Sequence, residues 1–149
     1  MNGSIAMLGK LAVGGLCVGA LMTSGLPARA EEPLNMVGTW KGVAQAVHRG
    51  TNPYRPGEQT GPSFSSATLE FTFTITTQQG NRFSGQSSDG KRTENLIGAI
   101  SPNNKNGIVL DDDGQYLFTV RDSNTLDACY SHSNANSKVV SCYEWKRIP

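Results

Sequence analysis

The chain is poor in the residues that most readily declare a chemistry. It has two histidines, His48 and His132, and three cysteines among 149 residues. No His-x-His or His-x-x-x-His spacing exists and zinc needs a third ligand, so no metal site is expected. The Cys-x-x-Cys spacing of oxidoreductases is missing, as are a glycine-rich phosphate loop and a nucleophile elbow. The 13 basic and 12 acidic residues are dispersed, which excludes the electrostatic footprint of a nucleic-acid binder. Beyond residue 30 there is no long apolar run, no window of 3.6 periodicity and no internal repeat. These absences argue against an enzyme, a cofactor and a membrane span in the working chain.

The first thirty residues, in contrast, carry a clear pattern. Lys10 supplies a positive charge, Leu11 to Leu26 is apolar and uncharged, and Pro27 breaks the run before Ala28-Arg29-Ala30. Small residues at the −3 and −1 positions complete a secretory signal peptide, with cleavage expected after Ala30. The apolar run is short of the ~20 residues that cross a bilayer. Cys17 follows Leu16 instead of a small residue, so it is expected to be discarded and not lipidated. Residues 31–149 then form one domain, with 11 basic residues against 12 acidic once Lys10 and Arg29 are gone. A periplasmic or secreted location follows.

The remaining residues read as all-β. Leu69, Phe71, Phe73 and Ile75 alternate with Glu70, Thr72, Thr74 and Thr76, the period of a half-buried strand. Turn residues divide the chain into eight strands, near 36–47, 67–77, 82–88, 93–101, 108–110, 115–120, 125–132 and 139–147. Short turns favour antiparallel neighbours, and no segment has room for a crossover helix. An eight-stranded up-and-down barrel is expected, which also removes exposed sheet edges. A two-sheet β-sandwich is the alternative.

Cys129 and Cys142 remain after the leader, and export makes them an expected disulfide. Facing each other, they centre the loop on Asn134-Ala135-Asn136-Ser137, a plausible hairpin turn. That register puts Leu126, Ala128, Tyr130 and His132 on one face with Val139, Ser141, Tyr143 and Trp145. This aromatic face is expected inside and the disulfide outside. Asp127 falls opposite Glu144, where like charges repel mildly.

The first strand carries Val37-Gly38-Thr39-Trp40-Lys41-Gly42. With the strand count, it resembles the calycin superfamily of avidin-like and lipocalin-like barrels, which begin with Gly-x-Trp. The resemblance implies that Trp40 plugs one end of the barrel beneath a basic residue of the last strand, Arg147 or Lys146. The chain is also similar to a group of small secreted bacterial proteins of unknown function. They share a Trp-x-Gly start, an Asp-Asp-Gly turn, two late cysteines and a block read here as Ile75, Gln78, Gly80, Phe83 and Gly85. Biotin, the avidin ligand, fits poorly. Only Trp40 and Trp145 are available, and Gly42 stands where avidins place a polar ligand residue.

Three features bear on function. Asp111-Asp112-Asp113-Gly114 could suggest calcium, but consecutive carboxylates point apart, and a solvated turn with Gly114 at positive φ is expected. Gly42, Ala44, Ala46 and His48 follow Trp40 on the inner face, where small residues leave volume. Phe71, Phe73, Tyr130, Tyr143 and Trp145 either line that volume or fill it. The 48–66 connection, with Tyr54 between Arg49 and Arg55, is long for a hairpin and suits a lid or binding loop. The expectation is a non-enzymatic binding protein. It takes a small apolar or aromatic ligand in the barrel mouth at Tyr54, Tyr130, His132, Tyr143 and Trp145. The alternative is a protein–protein module, such as an inhibitor of a secreted hydrolase.

Overall fold

The computed structural model describes residues 32–51, 54 and 60–149. The expected signal peptide, its cleavage site and most of the tip of the 48–66 connection lie outside the described residues. Among the described residues all regular elements are strands: β1 (Gly38–Ala44), β2 (Val47–Gly50), β3 (Ser63–Phe64), β4 (Leu69–Gln79), β5 (Arg82–Ser88), β6 (Thr93–Ile100), β7 (Asn106–Leu110), β8 (Gln115–Asp122), β9 (Thr125–Ser133) and β10 (Ser137–Ile148). Every pairing is antiparallel. The order runs from β1 through β4 to β10, and β1 pairs with β10 to close an eight-stranded barrel. The two additional strands, β2 and β3, extend the wall beside β10.

The expected first strand is therefore split. Gln45 and Ala46 leave the ladder because side chains far away in sequence take their backbone groups. Ser65 Oγ accepts from the Ala46 N–H at 2.8 Å, and Ser141 Oγ donates to the Gln45 carbonyl at 2.6 Å. Beyond this break β2 continues along β10, pairing His48 with Val139.

Alternation decides which residues meet inside. On β4, Phe73 and Ile75 are buried while Glu70, Thr74 and Thr76 are not. Cys129 lies opposite Cys142, as the hairpin spacing predicts, and the two form a disulfide on the outer wall. Glu144 does face Asp127. Their repulsion is relieved by Arg121, 2.7 Å from Asp127, and by Lys146, 2.9 Å from Glu144.

One end of the barrel is plugged. Trp40 is fully buried, donates from Nε1 to the Met36 carbonyl at 2.9 Å, and carries the Arg147 guanidinium 4.1 Å above its ring. Arg147 also donates to the carbonyls of Val37 and Asn35, tying the segment before β1 across the opening. Gln78 fastens the same segment, accepting from the Met36 N–H and donating to the Leu34 carbonyl. Above this plug, Phe73 and Trp145 stack with ring centres 3.7 Å apart, and Tyr116 meets both edge-on. This aromatic layer fills the middle of the barrel and forms the floor of whatever lies at the other end.

Candidate functional site

The open end is bounded by the β5–β6, β7–β8 and β9–β10 turns and by the start of the 48–66 connection. It holds a cup of about 590 Å³ with its open mouth included, in which the space that encloses a water-sized sphere is about 50 Å³. The barrel is thus mostly filled, with a small recess left at one end. The small residues of the first strand explain the recess. Ala44 and Ala46 form part of its wall with His48, whereas the space above Gly42 is taken by the Tyr143 ring.

Tyr54, Tyr130 and Tyr143 all line the cup. Tyr54 leans over the mouth, edge-on to Phe71 with centroids 5.6 Å apart, and donates to Glu94 Oε1 at 2.5 Å. Tyr130 donates to Asp113 Oδ1 at 2.7 Å, and the Tyr143 hydroxyl meets that of Tyr116 at 3.2 Å. Burial pushes all four tyrosine hydroxyls above their ordinary pKa, and neighbouring carboxylates add to the shift at Tyr54 and Tyr130. At neutral pH they are protonated donors.

His132 and Trp145 lie outside the cup wall. His132 is buried behind it, with Nδ1 2.7 Å from the Asp113 carbonyl and Nε2 3.1 Å from the Asn134 amide. A carbonyl can only accept, so Nδ1 carries the proton and Nε2 accepts from Asn134. The ring therefore braces two turns against each other. Trp145 is fully buried in the layer beneath the floor.

Three carboxylates complete the cup. One oxygen each from Glu94, Asp111 and Asp113 lies within 4.8 Å of the others. Asp111 points inward because its Oδ1 accepts the Gly114 N–H at 2.7 Å and so closes its own turn. Glu94 arrives from β6: the Ile97–Leu110 pairing, carried three places further, brings Glu94 to Asp113. Burial, reinforced by mutual repulsion, raises the pKa of Glu94 and of Asp111 above the usual carboxylate range. The expected solvated turn needs correcting in two respects. Two of its three aspartates face the cup, and Gly114 does not adopt a positive φ. Gly114 is required by contact instead, because a Cβ there would lie 2.4 Å from the Tyr130 hydroxyl and 2.6 Å from its Cζ.

The geometry defines a small closed antiparallel barrel, plugged at one end and holding an acidic, tyrosine-lined cup at the other. No family model and no curated protein matches the chain. It is similar to the crystal structure of a protein with unknown function from the DUF3598 family of Nostoc punctiforme. The two share 19% identity with a TM-score of 0.43 over 84% of this chain and 53% of that one. The chain thus spans about half the length of that protein.

Proposed function

We propose that this protein is an exported, non-enzymatic binding protein that takes a small ligand in the barrel mouth. The observation that carries the reading is the cup itself, where an aromatic wall meets a few convergent polar groups. The Tyr54 and Tyr130 hydroxyls, held protonated by burial, donate their hydrogen bonds to Glu94 and Asp113 and leave their oxygens as acceptors and their rings as apolar wall. Tyr54, which belongs to the 48–66 connection and lines the cup against Phe71, supports a role for that connection at the site. The Cys129–Cys142 disulfide supports a periplasmic or secreted location. The Trp40–Arg147 plug supports a calycin-like classification of the barrel.

The test is native mass spectrometry of the protein recovered from an exporting host, with an Ala44→Leu variant alongside. A small molecule retained by the native protein and lost from the folded variant is expected. No retained mass, together with no melting shift from a panel of small aromatic and aliphatic compounds, would overturn the reading.

One observation favours the second reading, a protein–protein module such as an inhibitor of a secreted hydrolase. Ile97 pairs with Leu110, and Ile108 with Leu117. All four are exposed on the outer wall of β6 to β8, and exposed apolar strips often mark contact surfaces. Under this reading, Leu110→Ser with Leu117→Ser removes partner binding and leaves the cup intact.

A further inference from the structure

The outer wall carries an apolar strip bordered by one unpaired charge of each sign. Ile97 on β6 is 61% exposed and Leu117 on β8 is 56% exposed, with the exposed Leu110 and Ile108 between them on β7. Arg82 and Asp112 flank Ile97. Arg82 pairs with Ala99, two residues beyond Ile97, and Asp112 lies two residues beyond Leu110, the partner of Ile97. Both charged side chains are exposed, and among the described residues neither makes an ion pair. Asp111 and Asp113 turn into the cup, whereas Asp112 points along the outer wall and accepts the Asn95 N–H at 3.3 Å. A groove of about 480 Å³ borders the strip, because the small Ser84 and Ala99 stand between Arg82 and the larger Ile97, Ile108 and Leu110.

This face is complementary to itself. Strands spaced about 4.8 Å apart and rising about 3.4 Å per residue place the side chains on a regular grid. On that grid Arg82 and Asp112 lie at equal distances on opposite sides of the line from Ile97 to Leu117. A two-fold axis along this line brings Arg82 of each copy to Asp112 of the other. It sets Ile97 and Leu117 each against its own counterpart, and it lays Leu110 over Ala99 in the groove. One patch then serves both partners, as an isologous interface requires. The ridge enters the groove twice, and both unpaired charges are matched. An unrelated partner would have to supply an acid and a base at this spacing, which a second copy already carries. With 13 basic and 12 acidic residues the chain has almost no net charge, so two copies approach without long-range repulsion.

We infer that two copies of this chain associate through the outer wall of β6 to β8, with Arg82 of each copy paired to Asp112 of the other across the line from Ile97 to Leu117. The strip that an inhibitor would offer to an enzyme is then covered by the protein itself. The ligand-binding role of the mouth does not depend on this pairing. Four exposed aliphatic side chains make a small interface, so the pair is weak and forms as concentration rises.

The test is sedimentation velocity of the protein recovered from an exporting host, at low salt and from micromolar to millimolar concentration. It is repeated on Arg82→Asp, on Asp112→Arg, on the double variant and on an equimolar mixture of the two single variants, with circular dichroism to confirm folding. The native protein is expected to pass from monomer to dimer over this range. Each single variant sets like charges against each other at both contacts, and its Kd is expected to rise about tenfold or more. The double variant and the mixture restore opposite charges at both contacts, and both are expected to dimerise as the native protein does. A native protein that stays monomeric at every concentration would overturn the inference and leave the strip to an unrelated partner. Dimers that persist unchanged in both single variants, or weakened single variants that do not recover when mixed, would overturn the Arg82–Asp112 pairing and with it this arrangement of the two copies.

Discussion

Gly114 offers a test of the cup's architecture that needs no ligand. A Cβ at this position would meet the hydroxyl, Cζ and Cε2 of Tyr130 at 2.4, 2.6 and 2.7 Å. Three ring atoms are involved, so the ring must turn away as a unit and release its hydrogen bond to Asp113. Crowding of this kind costs about 1–3 kcal/mol. The backbone of Gly114 is not in the left-handed region, so alanine carries no conformational penalty of its own. Removing glycine's freedom in the unfolded chain would instead stabilise by about 0.4–1 kcal/mol. Gly114→Ala should therefore destabilise the native protein, yet be neutral or slightly stabilising in a Tyr130→Ala background. Urea unfolding of the four proteins in this cycle, read as midpoint and slope, gives the coupling directly. Equal costs in both backgrounds would refute the placement of Tyr130 over the β7–β8 turn.

Two further outcomes follow from the same structure. Replacing both Cys129 and Cys142 with serine opens a loop of sequence separation 13. The loss is about 3 kcal/mol, or a melting temperature lower by roughly 10 °C, and an unchanged melting point would contradict a structural disulfide. The second outcome concerns pH. Glu94 and Asp111 have raised pKa values in the fold, chiefly through burial. They face Asp112, Asp113, Tyr54 and Tyr130, with His132 behind Asp113. The folded protein then takes up protons before the unfolded chain does. Their contribution to stability rises as pH falls from neutral into the window just above the ordinary carboxylate pKa, and is lost again as pH rises through it. Glu94→Gln should flatten this part of the urea-midpoint profile, and an identical slope in the variant would rule out the shift.

How much of this was legible in the sequence depends on the range of the interactions concerned. The β5 and β6 starts, the Cys129–Cys142 register and the inward face of the last hairpin follow from alternation and turn chemistry, which act over a few residues. The volume left by Ala44, Ala46 and His48 could be read because side-chain period alone assigns the face. The break at Gln45–Ala46 could not, since Ser65 and Ser141 make it from 19 and 96 residues away. The inward turn of Asp111 and Asp113 is hidden because their local sequence reads as a solvated turn. Glu94 was the available signal: antiparallel pairing of the fourth and fifth strands brings a third carboxylate to the turn. Face alone places His132 at the site, whereas its hydrogen bonds to the Asp113 carbonyl and Asn134 commit it to holding turns. Trp145 sits one layer too deep, beneath a floor that Tyr116 helps to build.

The most direct test of the mouth as the ligand site is an NMR titration of isotopically labelled protein with the panel of small aromatic and aliphatic compounds. Shifts should be confined to the cup, at Tyr54, Glu94, Tyr130 and Tyr143, and should saturate. Shifts centred on the outer strip at Ile97, Leu110 and Leu117, or a spectrum unperturbed by every compound of the panel at millimolar concentration, would contradict the account.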